Sequence, residues 1–80
     1  MKEIYFVYVI KSIKTGEFYK GFTNDIDRRF GEHLIDRVSA TKSKRPWKLI
    51  HVEICDSRLE ARNLEKYFKS RFGREIIKEF

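Results

Sequence analysis

From Ile4 to Ile10 every position is β-branched or aromatic. A run that is apolar on both faces predicts a strand buried on two sides, central in its sheet. Lys14-Thr15-Gly16 is a turn signal, and Glu17 to Thr23 reads as a second strand, joined to the first as an antiparallel hairpin. Alternation puts Phe6, Tyr8 and Ile10 on one face of the first strand, and Tyr19, Gly21 and Thr23 on one face of the second. With Lys14-Thr15 as the loop, Tyr8 faces Gly21 and lies diagonal to Tyr19. A glycine there is expected to leave room beside Tyr8 for a ligand. A register one residue different separates the tyrosines.

Asn24 and Asp25 are both suitable N-caps for a helix running to about Asp36, with Ile26, Phe30 and Leu34 as its buried stripe. Arg29 and His33 share one border of that stripe, whereas Arg28 points nearly opposite. Ser39 to Arg45 is polar, basic and without periodicity, which predicts a mobile loop whose exit is stiffened by Pro46. Trp47 to Cys55 reads as a third strand on the sheet edge. Ile50, Val52 and Ile54 are expected to face the core, with Leu49, His51 and Glu53 on a mixed outer face. Ser57 and Glu60 form a capping box. The helix it opens is expected to bury Ala61, Leu64, Tyr67 and Phe68 and to close at Gly73, while Leu59 fits no stripe. Arg74 to Phe80 predicts one or two further helical turns. The expectation is a single domain over residues 1–80, of the small α/β (α+β) class: a three-stranded, mainly antiparallel sheet flanked by helices.

Charge adds a partner class to this picture. Eighteen Lys and Arg against twelve Asp and Glu give +6, which favours a polyanion over an acidic partner. Lys42, Lys44 and Arg45 before the third strand, with Arg28, are candidate phosphate contacts of a non-specific, salt-dependent kind; a solvated basic loop is the plainer alternative. A lone cysteine, Cys55, excludes an internal disulfide framework and a Cys-rich zinc site, and reads as a buried inert thiol. Met1-Lys2-Glu3 leads straight into a strand pattern, and no apolar run approaches the ~20 residues of a membrane span. The expectation is a cytoplasmic protein.

Taken singly, the chemistry-bearing residues have ordinary readings. Tyr8 and Tyr19 suit sheet aromatics with hydroxyls at the rim, Glu65 suits a helix-surface pair with Lys69, and His33 suits a structural hydrogen bond. Their order is more specific. Phe6-Val7-Tyr8, then Tyr19-Lys20-Gly21, then Asn24-Asp25 leading to Arg29 and Glu32-His33, then Arg45-Pro46-Trp47-Lys48-Leu49, then Glu60-Ala61 and Glu65 resemble the GIY-YIG nuclease family. The likeness is to small stand-alone members related to the N-terminal nuclease domain of excinuclease C, and it spans Tyr5 to about Lys69. The resemblance implies Mg²⁺- or Mn²⁺-dependent hydrolysis of DNA phosphodiester bonds, in DNA repair or recombination. It makes Glu65 the metal ligand, Tyr8 the base that activates water, Tyr19 the group that places water and phosphate, and Arg29 the phosphate clamp. His33 stands where relatives have His or Tyr and would assist proton transfer or bind a phosphate oxygen.

The departures are Phe6 for the first motif's glycine, Lys20 for the second motif's isoleucine, and Phe22 where excision relatives often carry an active-site lysine. The late asparagine of those relatives has no match, its offset falling near Ile77. They motivate the alternative of a nucleic-acid-binding module that kept the fold but cleaves weakly or not at all. Targeting in such domains commonly comes from an attached domain, which points to a possible protein partner.

Overall fold

The computed structural model describes residues 3–34 and 39–80. The chain runs β1 (Tyr5–Ser12), β2 (Phe18–Thr23), α1 (Ile26–Leu34), α2 (Ser39–Lys42), β3 (Trp47–Cys55), α3 (Arg58–Lys69) and α4 (Arg71–Ile77). The sheet order is β2-β1-β3 and both pairings are antiparallel. The apolar run from Ile4 therefore forms the central strand, as expected of a segment with no polar face to present to water. Gly16 takes a positive φ of 78° in the hairpin turn, which glycine adopts without strain. The register pairs Tyr8 with Gly21 and Ile10 with Tyr19. Tyr8 and Tyr19 therefore share a face.

That face is covered by α1 and the other by α3 and α4. Val7, Val9, Cys55, Ala61, Phe68 and Ile77 form one buried cluster, on which Tyr5, Phe18, Phe22, Ile50 and Leu64 pack. Tyr8, Ile10 and Trp47 form the second, with Tyr19, Ile26, Phe30, Leu49 and Val52 around it. Burying one such aliphatic or aromatic side chain contributes about 1.5–3 kcal/mol, so a two-sided sheet helps a short chain build a sufficient core. Asp25 is the N-cap of α1: its Oδ1 accepts from the Arg28 amide at 3.1 Å. The predicted end of that helix near Asp36 and the Leu34 side chain lie outside the described residues. Among the described residues no helix is long and apolar enough to cross a membrane.

Several expectations need correction. Ser39 to Arg45 is not simply a loop, because Ser39–Lys42 forms a helical turn. The Thr41 carbonyl of that turn accepts the Trp47 indole N–H at 2.8 Å, and the Ser12 hydroxyl donates to the Lys44 carbonyl at 2.6 Å. Four residues are too few to display a helical period, so tertiary bonds set the conformation. In β3 strict alternation fails, because the ladder shifts between Val9 and Ile10: Val9 pairs with His51 but Ile10 with Leu49. The extra residue, Ile50, packs on the Val7 cluster while Leu49 joins Val52 on the Tyr8 face. Ile54 shares the Val52 face, opposite Phe6, yet is solvent-facing at 68% exposure, and His51 stacks on Phe80 with ring centroids 4.0 Å apart.

In α3, Tyr67 is exposed rather than buried. Gly73 does not end this helix but lies buried inside α4. The boundary is Ser70, whose hydroxyl donates to the Tyr67 carbonyl at 2.5 Å and accepts from the Gly73 amide at 3.2 Å. A serine that serves both ends lets the chain turn without a left-handed residue. The capping box is present, Ser57 Oγ accepting from the Glu60 amide at 3.1 Å, and Leu59 is exposed.

Candidate active site

Gly21 opposite Tyr8 does not open a ligand pocket, contrary to expectation, but makes way for the tyrosine itself. A Cβ placed on Gly21 would lie 2.5 Å from the Tyr8 hydroxyl and 2.7 Å from Cζ. The absent side chain lets the phenol lie across β2. The ring is almost wholly buried, and its Oη meets His33 Nε2 at 3.0 Å. His33, fully buried on α1, presents Nδ1 to the Thr41 hydroxyl at 2.8 Å. Tyr19 closes the cluster, its ring centroid 4.8 Å from that of His33 at a steep interplanar angle of 62°.

Arg29 lies on the same border of α1 and is one-third exposed. Burial raises the Tyr8 pKa above its usual value; the Arg29 guanidinium beside the hydroxyl opposes that rise, while the more distant Tyr19 and Glu65 reinforce it. Glu32 steadies Arg29: its Oε1 lies 3.6 Å from Arg29 Nη1 and 3.7 Å from Arg28 Nη1. That buried oxygen is in ion-pair range but accepts no hydrogen bond among the described residues. Arg28, as the helical wheel predicts, points to solvent and pairs with Asp25.

Glu65 approaches from α3, on the far side of the sheet. Its carboxylate is mostly buried, and Oε1 accepts from Lys69 Nζ at 3.0 Å. Among the described residues no group of three or more His, Cys, Asp or Glu side chains gathers to hold an ion. A Mg²⁺-type ion fits such a site only as one held by a single carboxylate, with water and substrate phosphate completing its shell. The Glu65 carboxylate has that capacity, because its Oε2 carries no bond among the described residues.

Of the candidate phosphate contacts, Lys44 is tied to Glu17 at 3.1 Å, whereas Lys42 and Arg45 are exposed. Phe22 points away from the tyrosines and packs on the Val7 cluster, 6.3 Å from the Tyr5 ring. Ile77 is buried in the same cluster. Two features have no counterpart in the sequence pattern. Thr41 falls in a stretch that reads as loop, yet it is fully buried against His33. Lys20 is half-buried on the Phe22 face, and burial first, then Arg74 and Lys69, lower its pKa. No local signal marks either residue; both positions follow from long-range packing.

Burial, with Arg29 behind it, holds the His33 pKa down at about 4 against an ordinary 6.5. The imidazole is therefore neutral at neutral pH. Below pH 6.5 the unfolded chain binds a proton that the folded chain refuses, so stability falls as the pH drops from about 6.5 toward 4. The whole loss amounts to about 3 kcal/mol. Urea midpoints measured between pH 7 and 5 should decline for the parent and stay nearly flat for His33→Gln. A parent protein with level midpoints over that range would contradict the buried neutral imidazole.

Residues 4–78 match the GIY-YIG catalytic domain, and the chain belongs to the GIY-YIG family. Within it, the chain is 41% identical over 66 residues to a UPF0213 protein of Listeria welshimeri, covering 81% of this chain and 72% of the relative. It is 38% identical over 74 residues to a UPF0213 protein of Halobacterium salinarum, covering 89% and 95%. The solution NMR structure of a UPF0213 protein from Bacillus halodurans superposes with a TM-score of 0.58 at 29% identity, covering 95% of this chain and 83% of that one. The family is a nuclease family, and the three-stranded sheet with its helices is its fold.

Proposed function

We propose that this chain is a divalent-metal-dependent endonuclease that hydrolyses DNA phosphodiester bonds, in DNA repair or recombination. The observation that carries the reading is the buried contact of the Tyr8 hydroxyl with His33, with Tyr19 packed against His33 and the Arg29 charge acting on the phenol. Tyr8 accepts a hydrogen bond from the attacking water and takes its proton as the phenol's own proton passes to His33 Nε2. Arg29, a donor-only fork, holds a non-bridging phosphate oxygen and offsets charge in the transition state. Tyr19 borders the same space and orients water and phosphate. His33 is a neutral partner of Tyr8 rather than a direct phosphate ligand, since both its nitrogens are already engaged. Glu65 would hold the Mg²⁺ or Mn²⁺, which when bound supplies Lewis-acid cover for the phosphoryl oxygens. Lys42, Lys44 and Arg45, with Arg28, serve as outlying contacts to the phosphate backbone, Arg28 and Lys44 by exchanging their surface pairs with Asp25 and Glu17.

End-labelled single-stranded, duplex and branched DNA incubated with Mg²⁺, Mn²⁺ or chelator tests this. Cutting that requires the ion is expected. Two observations favour a second reading, a DNA-binding module that cleaves weakly: Lys69 occupies one Glu65 oxygen, and Phe22 puts an apolar ring where excision relatives often carry a cation. Salt-sensitive DNA binding without ion-dependent cutting would decide for that module.

A further inference from the structure

We propose that Thr41 is a positioning residue that fixes the His33 tautomer with its proton on Nδ1, and so decides that Tyr8 meets the attacking water as an acceptor. The proposal rests on the nuclease reading above.

A neutral imidazole carries one N–H, so only one of the two His33 nitrogens can donate. Nδ1 lies 2.8 Å from Thr41 Oγ1 and Nε2 lies 3.0 Å from Tyr8 Oη. His33 and Thr41 are fully buried, and Tyr8 keeps 1% exposure. Arg29 also borders the Tyr8 hydroxyl, and a guanidinium only donates.

With the proton on Nε2, both His33 and Arg29 would donate to the phenol oxygen. Both lone pairs would be occupied and the phenol O–H would point outward as a donor. Water facing it could not pass on a proton. With the proton on Nδ1, His33 donates to Thr41 and its Nε2 accepts the phenol O–H. One phenol lone pair then faces Arg29, and the other is left for the water. Only the second arrangement suits a base, because the phenol proton can pass to Nε2 as the water's proton arrives. In that arrangement the Thr41 hydroxyl oxygen accepts the Nδ1 proton, and among the described residues it is the group within hydrogen-bond distance of that nitrogen.

The position of Thr41 is itself fixed. Its carbonyl accepts from the Trp47 indole at 2.8 Å, and Trp47 is buried at the start of β3. The next residues are held to β1 through Ser12 and the Lys44 carbonyl. Among the described residues, the charged and titratable groups around the imidazole are Arg29 and Glu32 on α1, Tyr8 on β1 and Tyr19 on β2.

Long-range ¹H–¹⁵N correlation of the imidazole in the whole protein at neutral pH reads the tautomer directly. A protonated Nδ1 with a bare Nε2 is expected; a protonated Nε2 overturns the proposal. The readout needs no cleavage, so it stands apart from the fate of the nuclease reading. Thr41→Val keeps the shape and removes the acceptor. It is expected to shift the tautomer toward Nε2–H and to lower kcat about 100-fold at nearly constant KM, with Thr41→Ser restoring both. An unchanged tautomer in folded Thr41→Val, or a loss that serine does not repair, overturns the role. If the valine variant does not fold, the parent's tautomer still decides.

Discussion

Gly73→Ala lowers the midpoint of thermal unfolding by roughly 10–15 °C. An alanine inside a helix ordinarily stabilises by about 1 kcal/mol over glycine, so the sign of this change is itself a test. At Gly73 the added methyl falls on the Tyr67 carbonyl oxygen and within 2.6 Å of the Phe68 Cα. Those are backbone atoms, so no side chain can rotate away. The first turn of α4 must lift from the end of α3, loosening Phe68 and Ile77 in the core. A net cost of about 2–3 kcal/mol follows, and each kcal/mol moves the midpoint by roughly 4–8 °C in a domain of this size. Total stability for such a chain is only about 4–12 kcal/mol. Gly31→Ala provides the contrast: nothing lies within 4 Å of a Cβ there, so the ordinary helix gain of about 1 kcal/mol is expected. Calorimetry on both variants is sufficient. A Gly73→Ala protein as stable as the parent would mean that α4 does not pack on α3 as described.

On the proposed nuclease reading, Glu65→Ala is expected to lower ion-dependent cleavage by about 100-fold or more while leaving the fold intact. A metal bound at the phosphate contributes several kcal/mol to the transition state, and each 1.36 kcal/mol is a factor of ten. The stability effect is small by contrast. The interaction lost is an i,i+4 pair with Lys69, worth a few tenths of a kcal/mol. Chelator added to the parent should reproduce the variant's rate. Binding of Mn²⁺, followed by its relaxation of water protons, should weaken in parallel. Full cleavage by the alanine variant would remove Glu65 from the mechanism.

Much of the framework is legible in local pattern. An apolar run with no polar face belongs at the centre of a sheet, and a short Gly-containing connection makes its neighbour antiparallel. The hairpin register follows from Lys14-Thr15, and so does the pairing of Tyr8 with Gly21. The helical period places Arg29 and His33 together, and the structure keeps them on the Tyr8 side. The role of Gly21 is not legible, because pattern counts missing atoms and not the ring that moves into their place. The packing of β3 is not legible either, because an inserted residue leaves no mark in an alternating sequence.

The sequence by itself determined the central strand, the hairpin register, the faces of α1, the start of α3 and the identity of the chemical groups. These depend on periodicity, caps and turns, which act within a few residues. Only the tertiary structure decided how those groups are wired. Thr41 reaches His33 across eight positions and His33 reaches Tyr8 across twenty-five, while Glu65 acts on Tyr8 through its charge from a helix on the other face of the sheet. The reason is physical: a buried imidazole has no water to bond. Its tautomer and charge are therefore set by whatever distant segments the packing brings to its two nitrogens.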